Sequence, residues 1–126
     1  MDADEVGPGD ENAVRLAGRV TGVAPIRVLP SGDAVQTVRV TVGRPARRGE
    51  AGRAAVDAID VACWTAQTRR VAGRLGVGDR VEVEGALRRR FFRTGAGAAS
   101  RYEVEAGRIR RTRSVTTARA ASPPSG

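Results

Sequence analysis

Short stretches of this chain alternate apolar and polar residues with a period of two, and that alternation constrains its fold more than any other feature. Side chains of a strand point to opposite faces in turn, so strict alternation means a strand with one face buried. Val38, Val40 and Val42 alternate with Thr37, Arg39 and Thr41. Val56 to Trp64 places Ile59, Val61 and Cys63 on one parity, and Ala13 to Val23 does the same with Val14, Leu16 and Gly18. Val81, Val83 and Leu87 face away from Arg80, Glu82 and Glu84 in a strand expected to reach Arg90 or Phe92. In the last run, Tyr102 to Arg110, Tyr102, Val104 and Ala106 oppose Glu103 and Glu105. Gly18 and Gly22 predict curvature or bulges, and Gly85 predicts a bulge in the fourth strand.

Between these runs the punctuation is clear. Pro30-Ser-Gly-Asp33 is a turn, Gly43 to Ala54 reads as a mobile Arg/Gly-rich loop, and Thr94 to Ser100 reads as a Gly-rich loop. Thr65 can cap a short helix, with Thr68, Val71, Ala72 and Leu75 at helical spacing, Gly73 weakening it and Gly76 ending it. The order is three strands, a helix and two strands. That is the order of an all-β, five-stranded OB-fold barrel with one short helix between strands 3 and 4. Residues 12–112 form the expected domain, between a disordered acidic lead (1–11) and a disordered tail (113–126).

Charge narrows the partner. Five acids and no base fall in the first 11 residues, so the rest of the chain sets 22 bases against 9 acids, a net +13. Every base is Arg. Choosing Arg over Lys reads as codon usage in a G+C-rich genome or as use of a planar fork that pairs with phosphate and stacks on bases; the charge itself points to nucleic acid first and an anionic membrane surface second. No apolar run is long enough to span a membrane, and the acidic start is the reverse of a secretory signal's, so a cytoplasmic protein is expected. The lone Cys63 excludes an internal disulfide and reads as a packed core residue. With no His and no Lys, the chain lacks the usual proton shuttle, a zinc pattern and a Walker loop. Glu82/Glu84 and Glu103/Glu105 sit at outward strand positions beside Arg and read as surface salt-bridge partners rather than metal ligands. The expectation is a protein that is not an enzyme and carries no metal or cofactor.

Several segments resemble the bacterial single-stranded DNA-binding protein family. Asn12-Ala-Val-Arg-Leu-Ala-Gly18-Arg-Val20 resembles that family's first strand, and Ser31-Gly32 followed by Val35 its first hairpin. Trp64 sits where the family has an aromatic, and Glu103-Val-Glu105 resembles the start of its last strand. The most specific piece is Leu75-x-x-Gly78-x-x-Val81-x-Val83-x-Gly85-x-Leu87-x-x-Arg90-x-Phe92. The resemblance covers residues 12 to 111. It implies sequence-independent binding of single-stranded DNA in replication, repair or recombination, a homo-oligomer (tetramer or dimer) and a nucleoid-associated place in the cytoplasm. The chain departs from the family in several places. Aromatics that the family carries late in strand two and early in strand three fall here on Gly43 to Arg47 and on Ala58, and the family's Lys before the strand-four Gly is Val77. The family ends in an acidic run and a terminal Phe that recruit repair proteins. This chain ends Pro-Pro-Ser-Gly with no acid after Glu105, which sets that recruitment in question; it resembles a divergent member without the acidic tail, or a truncated one.

Binding single strands without sequence preference needs a positive groove and exposed ring faces. Trp64 is a candidate stacking ring because its parity opposes that of Cys63. In Arg88-Arg-Arg-Phe-Phe-Arg93 the two rings point to opposite faces, and the resemblance favours Phe92 over Phe91 for the groove. Arg88, Arg90, Arg93, Arg39 and Arg44 are the candidate cationic contacts, with Arg47, Arg48 and Arg53 as a loop clamp or a plain solvated loop. Arg69, Arg70 and Arg74 read as solvating the outer face of the helix. Two other functions fit the same residues: an OB-fold that prefers RNA, and a tail-less assembly or regulatory partner of a full-length relative.

Overall fold

The structure, a computed structural model, describes residues 7–45 and 55–114. Parts of the expected lead, loop and tail, and the clamp residues Arg47, Arg48 and Arg53, lie outside the described residues. The elements are β1 (Val14–Val23), β2 (Arg27–Val28), β3 (Ala34–Arg44), β4 (Ala55–Cys63), α1 (Ala66–Ala72), β5 (Arg80–Thr94) and β6 (Gly97–Arg113). The sheet runs β1-β5-β6-β4-β3 and returns to β1 through a β1–β3 pairing, which closes a five-stranded barrel. Among the described residues its single helix lies between the third and fourth barrel strands, as in an OB-fold. The two-residue β2 is an addition that pairs with β3 only; it is too short to show alternation in the sequence. All pairings are antiparallel except β4–β6, a parallel seam of Val61↔Val104 and Ala62↔Glu105.

The alternating residues fill the barrel. Val20, Val38, Val40, Val61, Cys63, Val81, Val83 and Val104 are each at most 2% exposed, and no aromatic residue belongs to this core. Valine suits such an interior: its branched stem is stiff and packs closely on a pleated surface. Narrowness follows, and two glycines make it possible. A Cβ on Gly18 would stand 2.5 Å from the Thr41 carbonyl oxygen, and one on Gly85 would stand 2.0 Å from that of Glu105. The β5–β6 register also shifts at Glu84/Gly85, and the β1–β3 register shifts between Val20 and Gly22, as the glycines had suggested.

α1 is capped by reciprocal bonds, Thr68 N–H to Thr65 Oγ1 (3.0 Å) and Thr65 N–H to Thr68 Oγ1 (3.2 Å). It ends earlier than expected, at Gly73. Arg74 N–H to Val71 O (2.9 Å) and Leu75 N–H to Ala72 O (3.1 Å) then tighten the chain into one further turn, which keeps Leu75 buried. The expected loop at Thr94 to Ser100 is instead a tight turn. β5 runs on to Thr94, Gly97 takes φ +120°, and β6 starts there. Thr94 Oγ1 accepts from Ala96 N–H (3.1 Å) and donates to Gly97 O (2.9 Å), so the turn's own side chain replaces the backbone partners that a loop would leave to water. A ladder from Arg80↔Arg113 to Thr94↔Gly97 results, the longest among the described residues.

Two outcomes follow from this packing. Gly85→Ala must displace a backbone carbonyl and is expected to cost about 1–3 kcal/mol, read as a lower denaturation midpoint with an unchanged slope against denaturant. Burial pushes the Cys63 thiol up to about 11, against a partial lowering by its hydrogen bond with Thr68. A raised folded-state pKa keeps its contribution below the unfolded value of 9.0 and loses it as pH rises toward 11. Stability is therefore expected to fall across that window, and less so in Cys63→Val. Parallel chemical denaturation at pH 8 and pH 10.5 checks this.

Candidate nucleic-acid interface

A groove of about 630 Å³ runs along the outside of the barrel where β4 ends, β6 begins its descent and the β5–β6 hairpin rises above them. Trp64, one residue beyond β4, forms its floor together with Ala62 and Thr37. One wall is the hairpin, with Arg90, Phe91, Phe92, Arg101 and Glu103. The other is the chain around β2, with Pro25, Ile26, Arg27 and Leu29. The groove continues into a shallower depression that shares Ala24, Thr37 and Arg101 with it and reaches Arg39 and Asp60.

Strand register explains which side chains meet. Beyond the Gly85 bulge, Arg88, Arg90 and Phe92 point one way, and Arg89 and Phe91 the other. Opposite them Arg90 pairs with Arg101 and Arg88 with Glu103, which sets Arg101 and Glu103 on the same face as Phe92. Each ring carries a guanidinium: Arg90 lies 4.7 Å from the Trp64 centroid and Arg101 lies 5.3 Å from that of Phe92. On the other face Arg89 lies between Phe91 (5.0 Å) and Tyr102 (5.7 Å). Phe92 is 40% exposed and Phe91 72%, so both offer ring surface to a ligand, and Phe91 also reaches the groove's rim. Trp64 is half-buried. Its carbonyl accepts from Arg69 Nη1, which also donates to Ala34 O (3.1 Å). Arg69 thus ties the start of α1 to β3 and fixes the floor of the groove, which corrects its expected role as a solvating residue. Arg111 similarly reaches the Arg74 carbonyl (3.2 Å), leaving Arg70 and Arg74 on the exposed side.

Electrostatics here is a partial balance. Arg27, Arg39, Arg90 and Arg101 face two acids, Asp60 and Glu103. Asp60 lies 3.2 Å from Arg39 and 3.9 Å from Arg101, and Glu103 receives Arg90 Nε at 2.6 Å. Glu103 is only 7% exposed, so the expectation of an exposed surface partner fails for it. The reason is the ring pair above: the guanidinium that stacks on Trp64 also roofs the carboxylate. Glu105 and Glu82 do sit in exposed pairs, with Arg88 (2.9 Å) and Arg110 (2.5 Å).

The structure brings Trp64, Phe91, Phe92 and Arg90 together in the groove, with Arg39 at its far end. It leaves Arg88, Arg93 and Arg44 off the lining. Arg88 is held by Glu105, Arg44 lies 3.7 Å from Asp57, and Arg93 stands exposed near the hairpin tip. Ile26, Arg27, Leu29 and Arg101 line the groove without having been singled out from the sequence. Arg101 was the legible one, since it shares the parity of Glu103. The β2 residues carry no local pattern.

Among the described residues no helix is long and apolar enough to cross a membrane. No curated protein matches the chain. The structure of Plasmodium falciparum SSB in complex with ssDNA matches with a TM-score of 0.68 at 20% identity, covering 82% of this chain and 95% of that one. That likeness is one of fold. The model of the Single-strand binding protein family matches residues 11–112, which takes in every barrel strand, the helix and the hairpin. The chain therefore belongs to the Single-strand binding protein family, whose members bind single-stranded DNA and are not catalysts.

Proposed function

We propose that the protein binds single-stranded DNA without sequence preference along the Trp64–Phe92 groove and its extension to Arg39. It would act as a homo-oligomer in the cytoplasm, at the nucleoid, during replication, repair or recombination. The observation that carries this reading is that rings and guanidinium groups from four separate elements line one continuous groove. Stacking is sequence-tolerant because every base has a π-face, and arginine adds both stacking and charge. Arg39 and Arg101 flank Asp60 and, with Arg27, leave the groove net positive, as a path for phosphates requires. Arg93 and Arg44, exposed and off the lining, are proposed as outer phosphate contacts, and Arg88 as a weaker one because Glu105 already holds it. Phe91 is the second stacking ring at the rim. The homo-oligomer is supported by an apolar depression that adjoins the groove at Arg39, Asp60 and Glu103, where Leu87 (44% exposed) and Tyr102 (60%) stand beside Val14, Leu16 and Ile59.

Fluorescence anisotropy of labelled oligo-thymidine tests the function. Affinity is expected to fall with salt by about 0.7 log units per log unit for each phosphate contact. Phe92→Ala is expected to weaken binding by about 1–3 kcal/mol, with little change in that slope. Stronger competition by single-stranded RNA than by DNA would move the function to RNA. Binding no tighter than that of any basic protein of similar charge would leave assembly with a relative as the function. Sedimentation velocity of the same sample reports the oligomer.

A further inference from the structure

We infer that Arg90 meets bound DNA as a stacking plane fixed by Glu103, not as a charge that neutralises phosphate. The inference rests on single-stranded DNA binding at this groove and specifies what Arg90 contributes to it. Three observations carry it. The Arg90 guanidinium lies over Trp64 at 4.7 Å from the ring centroid. Its Nε donates to Glu103 Oε2 at 2.6 Å. The Glu103 side chain is 9% exposed, whereas that of Arg90 is 39% exposed and lines the groove.

The first consequence concerns movement. A buried carboxylate that loses its cation is left as an uncompensated charge, which is strongly unfavourable. Arg90 is therefore tied to Glu103 and does not swing out to follow a phosphate. The second concerns charge. Counterion release scales with the phosphates that a protein's cations neutralise. A guanidinium already neutralised at 2.6 Å adds little to it. What remains is shape. The guanidinium is a flat, weakly hydrated plane that lies over Trp64, is held at its Nε by Glu103 and keeps part of its surface exposed in the groove. A base laid on it would extend a Trp64–Arg90 stack that exists before DNA arrives, with Phe92 beside it on the same face of the hairpin. Glu103 is then a positioning residue: it touches Arg90 and sets the plane. Arg93 is the contrast, an exposed arginine near the hairpin tip with no carboxylate partner among the described residues.

The test is oligo-thymidine binding across a salt series. Arg90→Ala and Arg90→Lys are both expected to bind about 10-fold more weakly at every salt concentration, with the wild-type slope, because lysine keeps the charge but has no plane. Arg93→Ala is expected to flatten the slope by about 0.7. Because Arg90→Ala strands Glu103 and can unfold the chain, the double variant Arg90→Ala/Glu103→Gln is measured beside it and is expected to show the same loss at the same slope. Glu103→Gln alone is expected to weaken binding several-fold and to shift the emission of Trp64, the one tryptophan, in the protein without DNA. Wild-type affinity in Arg90→Lys, a slope flattened by about 0.7 in the double variant, or unchanged Trp64 emission in Glu103→Gln overturns the inference while DNA binding stands. A wild-type chain that does not bind oligo-thymidine overturns both.

Discussion

The close approach of strands at Gly18 and Gly85 governs the rest of the molecule. Either position, given a Cβ, would drive it into a backbone carbonyl, so the barrel can be this narrow only with glycine there. A narrow barrel takes valine and refuses rings. The four aromatic residues are accordingly all outside the core cluster, on the groove floor and the hairpin. The same constraint that fixes the interior thus delivers to the surface the side chains that stacking requires. A core of this kind buries modest area per residue, and single overpacking changes weigh heavily on it.

Arginine does two different jobs on that surface. Along the outer faces of β5 and β6 it pairs with glutamates in exposed bridges that contribute little to stability. At the groove it lies on rings, and the acids there are fewer and more buried. Glu103 neutralises Arg90 and holds its guanidinium in place, while Asp60 is shared between Arg39 and Arg101. Preorganising a flexible side chain before a ligand arrives removes part of the ordering cost of binding.

Most of the barrel was legible because its signal is local. Period-two valines give the strands, and Gly18 and Gly85 give the bends. The hairpin tip misled because Gly95-Ala-Gly97 reads as loop composition, whereas Gly97 supplies the left-handed turn that lets the ladder continue. The helix end was displaced because Leu75 keeps helical spacing through a tighter turn. At the site, Trp64, Phe92 and Arg90 could be found by parity and motif. The burial of Glu103 and the structural use of Arg69 could not, since each depends on a partner brought close by folding: the Arg90–Trp64 pair in one case and the Ala34 carbonyl in the other. The groove wall at Ile26 and Arg27 comes from a two-residue strand with no pattern to read.

The parallel seam between β4 and β6 has its own bearing on how the molecule moves. Two residue pairs join the strands there, against four to fifteen in the antiparallel ladders of the barrel wall. Glu103 immediately precedes one of those pairs and Trp64 follows the other by two residues, so the seam lies directly beneath the loaded part of the groove. Local opening is cheapest where the ladder is shortest. The amides that bridge this two-pair seam are therefore where hydrogen exchange would register occupancy of the groove, even while the global stability of the barrel stayed the same.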